Sequence, residues 1–401
     1  MLETRIAKEL AYISQAGLAR RITELYFVNP AQAQDRTGKT YLVLASNNYL
    51  GFTHAPEVIE AASQAALKFG TGSSGSRLTT GGTFIASELE KRLADFKHSE
   101  SALVFNTGYM TNLGVLYGLL QTGDVVFSDE LNHASIIDGC RISRCKVVVY
   151  KHNDMADLQR LLETEIVTGQ RFIVTDGVFS MDGDIADLPS LAVLKKQFNA
   201  FLIVDDAHGV GVIGNDGSGT ASHYGLTDVI DLQVGTLSKA LAAEGGYVAG
   251  KKILIDYLIN RSRPFIFSTA LAPATLAAAN AALLLLQTQA SKYLDSLRAN
   301  SRLMRRLLLE GGLNVVEGIT PIIPVVIGEA GLTMQFADRL KSKGILVSGI
   351  RPPTDPRGVT HPLAALRITV TAAHCEEQLR QAAQIITALW QELKHGEKKE
   401  G

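Results

Sequence analysis

The middle of the chain alternates short apolar runs with longer segments of helical periodicity. Strands that alternate with helices predict βαβ units and a mostly parallel sheet, which places the chain in the α/β class. The length of 401 residues favours one large α/β domain with a smaller companion. The strands predicted for the sheet are 102–105, 124–128, 146–150, 171–175, 201–206 and 229–235.

Polar or reactive residues follow most of these strands, always on the same side. In open α/β sheets, ligands bind outside the carboxyl ends of the strands. The repeated placement therefore predicts one functional site at that edge of the sheet. The residues concerned are Gly108, His133, Ser180, Asp205, His208, Thr236 and Lys239.

Lys239 is the most informative of these residues, because lysine is rarely buried unless it is paired or used. A partly buried lysine loses proton affinity and becomes a nucleophile toward carbonyls. Taken alone, Lys239 also suits an ordinary surface loop, but Asp205 and His208 add an acid and an imidazole at a neighbouring strand end. These are the groups that pyridoxal phosphate (PLP) requires: a lysine that bonds to its aldehyde and an aspartate that keeps its ring nitrogen protonated.

Two further stretches favour the binding of a phosphate group. Residues 70–82 contain five glycines and six hydroxyl residues, which let the backbone approach a ligand closely, although their spacing does not match a P-loop. A strand-turn-helix junction at Gly108 offers free N–H groups to an anion, with Tyr109 and Asn112 as additional contacts.

The composition of the chain limits which binding partners and which cellular compartment the sequence favours. The 39 basic and 40 acidic residues give a net charge of −1 without a polybasic run, so neither nucleic acid nor an anionic membrane is implied. Cys140, Cys145 and Cys375 form no CxxC pair, which suggests free thiols in a reducing, cytoplasmic setting; we predict no metal site. The start of the chain lacks the apolar core of a signal peptide, and the apolar stretch 271–286 is interrupted and short, which predicts a buried helix.

After residue 290 the regular alternation of strands and helices gives way to a different pattern, which predicts a second domain. We predict an N-terminal helix and arm over 1–45, a large domain over 46–290 and a small α+β domain over 291–401. Apolar residues near helical spacing extend the first helix to about residue 27. In the small domain we predict helices over 291–311, 332–343 and 375–393 and strands over 321–327, 346–351 and 366–370.

Six stretches carry distinctive motifs: 46–51, 72–81, 132–135, 176–183, 204–209 and 235–239. Together these motifs resemble those of the α-oxoamine synthases, which condense an amino acid with an acyl thioester and release CO2. The resemblance covers nearly the whole chain. It implies the PLP-dependent transferase fold of type I, with a mostly parallel seven-stranded sheet in the large domain and a smaller α+β C-terminal domain. It also implies PLP as cofactor and a homodimer.

The resemblance implies roles for the matching positions around the cofactor. Lys239 would bond to the cofactor and act as the catalytic base, Asp205 would meet the ring nitrogen, and His208 would contact the ring hydroxyl. His133 would stack on the ring and, with those three, form the catalytic set. The other cofactor-binding positions, on the phosphate side and beside the ring, are Gly108, Tyr109, Thr236 and Ser180. Leu237 and Ser238 gain no role.

The substrate positions implied are Arg20, Asn47, His133, Thr354 and Arg367. Asn47 and Arg367 would hold the amino-acid carboxylate, and Arg20 and Thr354 would meet the acyl substrate. Arg21 fits almost as well as Arg20 on register alone, and the long 355–366 segment leaves the register of Arg367 to the residues that follow it.

Within the family, residues 72–81 and 350–354 resemble most the biotin-pathway members, which join L-alanine to pimeloyl-CoA or a pimeloyl-carrier protein. A glycine-using sibling is the alternative enzyme, since the segment around Arg263 resembles that group. A non-catalytic partner subunit is the alternative outside enzymes; such subunits tend to lose the lysine that Lys239 matches.

Overall fold

The computed structural model describes residues 1–16, 18–20, 22–351 and 364–400, with side chains through residue 394. Its helices are α1 Leu2–Gln15, α2 Pro56–Phe69, α3 Phe84–Phe96, α4 Gly108–Leu119, α5 Ala134–Ser143, α6 Met155–Thr164, α7 Leu188–Gln197, α8 Thr220–His223, α9 Lys252–Arg261, α10 Arg263–Ile266, α11 Pro273–Glu310, α12 Ala330–Ser342 and α13 Glu376–Glu400, with a 3-10 turn at Phe52–His54. Its strands are β1 Tyr26–Asn29, β2 Gln32–Gln34, β3 Thr40–Val43, β4 Ser101–Phe105, β5 Val125–Asp129, β6 Lys146–Tyr150, β7 Arg171–Asp176, β8 Ala200–Asp205, β9 Leu232–Thr236, β10 Gly246–Gly250, β11 Ile322–Gly328, β12 Ile345–Leu346, β13 Ser348–Ile350 and β14 Ala364–Thr369.

A seven-stranded sheet with the order β4-β10-β9-β8-β7-β5-β6 forms the centre of the fold. The strands are parallel except for β10, which is antiparallel to both of its neighbours. Asp176 at the end of β7 lies in register with Asp205 at the end of β8, and Asp205 pairs with Val234 of β9. The carboxyl ends of these strands are therefore level, as the prediction of one functional edge requires.

Apart from the edge strand β6, the strands of this sheet are buried on both faces, which explains why they read as continuous apolar runs. Neighbouring residues of β5 alternate between faces: Val126 packs in a cluster with Leu116 of α4, whereas Phe127 packs with Leu158 of α6. Helices therefore cover both sides of the sheet and leave the ends of the strands accessible.

The seventh strand, β10, is one that the sequence pattern did not locate. It is only five residues long and has a glycine at each end, which reads as a turn. The structure explains Gly246, because a Cβ there would lie 2.4 Å from Thr111 Oγ1 and 2.6 Å from Gly108 Cα. The missing side chain lets β10 lie directly against the start of α4, and this contact places that helix end beside β9.

The prediction that the first helix extends to about residue 27 is wrong. Helix α1 ends at Gln15, and Tyr26 begins β1, which pairs with β2. The aromatic and β-branched residues from Ile22 to Val28 favour a strand over a helix. None of the α1 residues is buried within this chain.

The two helices predicted over 271–286 and 291–311 form one element, α11, with a non-helical residue at Gln289 (φ −132°, ψ 27°). Its first half packs in the core of the large sheet, and its second half packs with α13 and the sheet β11-β14-β13. The predicted domain limits stay a prediction; β12 pairs with β3, so the C-terminal part also joins the N-terminal arm. None of the described helices is both long and apolar enough to cross a membrane.

Candidate active site

A cavity of about 190 Å³ opens at the carboxyl edge of the central sheet. All eight residues predicted to bind the cofactor line it. Among the described residues, the lining consists of Thr107, Gly108, Tyr109, Asn112, His133, Ser135, Asp176, Val178, Ser180, Asp205, Ala207, His208, Thr236, Ser238 and Lys239. The structure thus brings together residues from five different strand ends, as expected from the strand-end pattern.

Lys239 projects into this cavity from the turn that follows β9. Burial lowers the pKa of its ammonium, Asp205 and Asp176 oppose that shift, and the charge of Arg367 adds to it. The turn is held by backbone bonds from Leu237 to Gly245 and from Ala242 to Lys239, and Ala242 has a left-handed φ of 52°. A non-glycine residue in that conformation stores strain, which is common at functional sites. The lysine is therefore rigidly placed and lies closer to its neutral, reactive form.

Asp205 is fixed by two hydrogen bonds. Asn112 Nδ2 donates to its Oδ2 at 2.5 Å, and the Ala207 backbone N–H donates to its Oδ1 at 3.0 Å. Asn112 Nδ2 also lies 2.9 Å from the Ser135 hydroxyl, which in turn lies 2.7 Å from His133 Nδ1. Asn112 and Ser135 therefore link the two predicted cofactor contacts, Asp205 and His133.

His208 is buried and is paired with a buried tyrosine. The Tyr49 hydroxyl lies 2.6 Å from His208 Nδ1. Burial raises the pKa of Tyr49 to about 12, so the hydroxyl keeps its proton. Burial, with the charges of Lys239 and Arg367, lowers the pKa of His208 well below its usual value. A neutral imidazole that accepts from Tyr49 at Nδ1 presents its Nε2–H as a donor.

His133 is the N-cap residue of α5 and contacts the neighbouring strand end through its backbone. Its N–H donates to Asp176 Oδ2 at 3.1 Å, and its Nδ1 accepts from the Ser135 N–H at 3.3 Å. Burial lowers the pKa of His133, and nearby Asp205 opposes the shift. Burial followed by repulsion from Asp205 raises the pKa of Asp176 well above its usual range. The cavity thus has a flat, neutral ring on one wall.

The start of α4 forms the opposite end of the cavity, where hydroxyl groups gather. Thr107 caps the helix by accepting from the Met110 N–H at 3.0 Å. A Cβ at Gly108 would lie 3.3 Å from Thr236 Oγ1, and that hydroxyl lies 2.7 Å from Ser238 Oγ. Helix N–H groups beside hydroxyls suit a phosphate. Together with the lysine, the fixed aspartate and the flat ring, these groups fit PLP.

Arg367 and Asn47 are distant in sequence but meet beside this cavity. Arg367 lies in β14 and is buried; its Nη2 donates to Asn47 Oδ1 at 3.2 Å, and its Nε donates to the Ser180 carbonyl at 2.6 Å. The Thr369 hydroxyl accepts from its Nη1 at 3.0 Å. Since Ser180 lines the cavity, a buried guanidinium stands at its margin.

The structure says less about the residues predicted to contact the acyl substrate. Arg20 is exposed on the segment between α1 and β1 and does not line the cavity. Thr354 and the alternative Arg21 lie outside the described residues. The roles assigned to these positions stay predictions.

Sequence reasoning gave no role to Tyr49, Asp176 or Ser238. Ser238 and Asp176 line the cavity, and Tyr49 holds His208. Asp176 had a readable signal, because it ends a predicted strand just as Asp205 does. Tyr49 had none, since its contact with His208 spans 159 residues.

Comparison with known proteins agrees with this geometry. The family model for class I and II aminotransferases matches residues 39–386. The chain belongs to that family. It is 45% identical to 8-amino-7-oxononanoate synthase from Lysinibacillus sphaericus, over 98% of this chain and 99% of that protein.

Solved structures show the same fold. A variant serine palmitoyltransferase from S. paucimobilis, with a bound PLP–myriocin aldimine, matches with a TM-score of 0.90 and 30% identity over 97% of each chain. The 8-amino-7-oxononanoate synthase from Francisella tularensis matches with a TM-score of 0.75 and 30% identity, over 89% of this chain and 98% of that one. The predicted PLP-dependent type I fold is confirmed.

Proposed function

We propose that this protein is an acyltransferase of biotin synthesis that condenses L-alanine with a pimeloyl thioester. The products are 8-amino-7-oxononanoate, CO2 and the free thiol carrier, either CoA or a carrier protein. The observation that carries this proposal is the lysine Lys239, set among Asp205, His208 and His133 in a chain that aligns end to end with 8-amino-7-oxononanoate synthases. Retention of Lys239 argues against a silent partner subunit.

PLP is the cofactor, and the lining residues divide its parts between them. When bound, its ring withdraws electrons from the α-carbon of the amino acid, which stabilises the negative charge that develops there. Asp205 would hold the ring nitrogen, His208 would contact the ring hydroxyl, and Ser180 would support the ring. His133 would lie against the ring face, while Thr236 and the start of α4 would hold the phosphate.

Lys239 would act on the substrate as the base. Its lowered pKa makes the neutral amine available, and a neutral amine in the cavity accepts the α-proton of alanine. Arg367 and Asn47 would bind the alanine carboxylate, because the guanidinium keeps N–H donors beyond those used by Ser180, Thr369 and Asn47. This carboxylate is the group later lost as CO2.

The acyl side and the assembly form the last part of the proposal. Arg20 and Thr354 would contact the pimeloyl group, and the protein would act in the cytoplasm as a homodimer. Helix α1 supports the dimer, since it has an apolar stripe that includes Ile6 and Leu10 yet buries no residue within the chain.

Product analysis by mass spectrometry tests the proposal. Purified protein with PLP, L-alanine and pimeloyl-CoA is expected to give 8-amino-7-oxononanoate and free CoA. Parallel reactions replace alanine with glycine and pimeloyl-CoA with acetyl-CoA. A faster reaction of glycine with the short acyl donor would favour the glycine-using sibling, and no product with any pair would overturn the enzymatic assignment.

A further inference from the structure

A second ionic group lies behind the cavity, away from its lining. Lys97, just after α3, and Asp206, just after β8, are each 1% exposed. Lys97 Nζ donates to Asp206 Oδ2 at 3.2 Å and also to the Ser218 carbonyl. The two residues are 109 positions apart, so this pair fastens two distant parts of the chain.

The Asp206 carboxylate is fully bonded and tightly enclosed. Its Oδ2 accepts from the Thr220 N–H and its Oδ1 from the Thr220 hydroxyl, each at 2.9 Å. A Cβ at Gly209 would lie 1.9 Å from Oδ1, and one at Gly219 would lie 1.8 Å from Oδ2. The carboxylate is therefore packed directly against the backbone at Gly209 and Gly219.

Asp206 sits between two residues that face the cavity. Asp205 precedes it and His208 follows two residues later. The Asp206 N–H donates to the Val234 carbonyl of β9 at 2.8 Å, and the Asp206 carbonyl accepts from the Gly209 N–H at 3.0 Å. The backbone that orients Asp205 and His208 is thus fixed at Asp206, against the strand that leads to Lys239.

Stability alone does not account for such a pair. Replacing a buried ion pair with apolar residues of similar volume often leaves stability unchanged or increases it, whereas removing one partner leaves an unpaired buried charge and is destabilising. What the pair provides here is one fixed conformation of the turn after β8. The Asp206 carboxylate and the Lys97 ammonium hold that turn against the end of α3.

We propose that Lys97 and Asp206 are positioning residues for the cofactor: their ion pair fixes the turn that holds Asp205 and His208 toward the ring. This inference rests on the proposed function. Neither residue lines the cavity, so both act through their neighbours.

The test compares Lys97→Met, Asp206→Asn and the double variant Lys97→Met/Asp206→Asn. Both single variants are expected to lower the Tm of the PLP-loaded protein. In the double variant, which strands no charge, Tm is expected to recover most of the loss, while the dissociation constant for PLP stays roughly tenfold higher than in the wild type. The pH dependence of the visible absorption of the bound cofactor should also shift.

Lys195→Met is the matched control. Lys195 Nζ lies 2.6 Å from Asp231 Oδ2 at the opposite edge of the sheet. Its loss is expected to change Tm slightly and to leave the PLP dissociation constant and the absorption unchanged. A control variant that weakens PLP binding as much as the double variant would show that any loss of rigidity suffices, which overturns the inference.

A folded double variant with wild-type PLP affinity and absorption would also overturn it. If the double variant does not fold, Thr220→Val decides, because it keeps both charges and removes one bond to Asp206; a weaker PLP affinity supports the inference and an unchanged affinity overturns it. Failure of the proposed function is separate: a wild-type protein that binds PLP but makes another product leaves this inference standing.

Discussion

The two edges of the central sheet use the same residue types in opposite ways. At the amino edge, Asp231 accepts a hydrogen bond from the Leu202 N–H at 2.7 Å and forms an ion pair with Lys195, so the negative charge of Asp231 is paired with a positive one. At the carboxyl edge, Asp176 and Asp205 end adjacent strands in register, and burial followed by repulsion from Asp205 raises the pKa of Asp176 well above its usual range. Carboxylates occur at both edges, and the electrostatic repulsion of Asp176 by Asp205 distinguishes the carboxyl edge as the functional one.

The largest difference expected between the edges concerns two lysines that follow adjacent strands. Lys239 follows β9 at the carboxyl edge, whereas Lys251 follows the antiparallel β10 at the amino edge and is exposed. Lys239→Ala is expected to lower turnover by about 10⁴-fold or more, because it removes both the cofactor bond and the base. Lys251→Ala should leave turnover unchanged.

Steady-state kinetics and Tm measure this contrast. Compared without PLP, both variants should keep the wild-type Tm within a few degrees, because neither substitution removes a residue of the buried core. Condensation activity retained in Lys239→Ala would refute the assignment of the base.

A smaller difference is expected in the stability supplied by the two Lys–Asp pairs. Lys97→Met leaves the buried Asp206 charge unpaired and should lower the free energy of unfolding by about 3–5 kcal/mol. Lys195→Met removes a pair whose side chains are 19% and 17% exposed, so water can solvate Asp231, and about 1 kcal/mol is expected.

Urea denaturation of the PLP-saturated proteins gives both values. Equal losses in the two variants would mean that the edges do not differ in how tightly they hold charge.

The smallest effect is a dependence of stability on pH at the rim of the carboxyl edge. His152 lies 2.9 Å from both Asp129 Oδ1 and Asp184 Oδ2. Burial alone would lower the pKa of His152, but the hydrogen bonds and charges of the two aspartates outweigh it and raise the pKa to about 10. Because the folded value exceeds the ordinary 6.5, the stabilisation is complete below pH 6.5 and disappears as pH rises through about 10.

His152→Gln should therefore be less stable than the wild type by about 1.5–3 kcal/mol near pH 6, with the gap closing toward pH 10. His98→Gln is the control, because His98 meets Asp216 at 3.3 Å with side chains 54% and 44% exposed. Its stability should follow the wild-type pH profile. Thermal denaturation across this pH range separates the two, and a constant gap for His152→Gln would contradict the assigned charge.

The core of the site was predictable because its signals are local. Each of Asp205, Thr236 and Lys239 stands at or just past the end of an apolar run, and parallel strands bring such ends together without further information. The same reasoning indicated Gly108 and His133 at helix starts. Strand β10 was not predicted because Gly246 serves a contact with α4 that the neighbouring residues in the sequence do not indicate.

The supporting residues were not predictable for a different reason. Lys97 follows a helix in a charged stretch and reads as an exposed lysine, yet the fold buries it against Asp206. Tyr49 and His208 meet only once the chain has folded. Such pairings depend on tertiary packing, which overrides local preference.

The bond between Asn47 and Arg367 has a consequence for the order in which a ribosome makes the site. Among the residues that the structure describes, those that line the cavity lie between 107 and 239, whereas Arg367 is translated much later. The residues that line the cofactor cavity are therefore synthesised well before Arg367, the cation assigned to the substrate carboxylate. Nascent chains that end before β14 carry the described lining residues of the cavity but not Arg367, the group assigned to bind the alanine carboxylate.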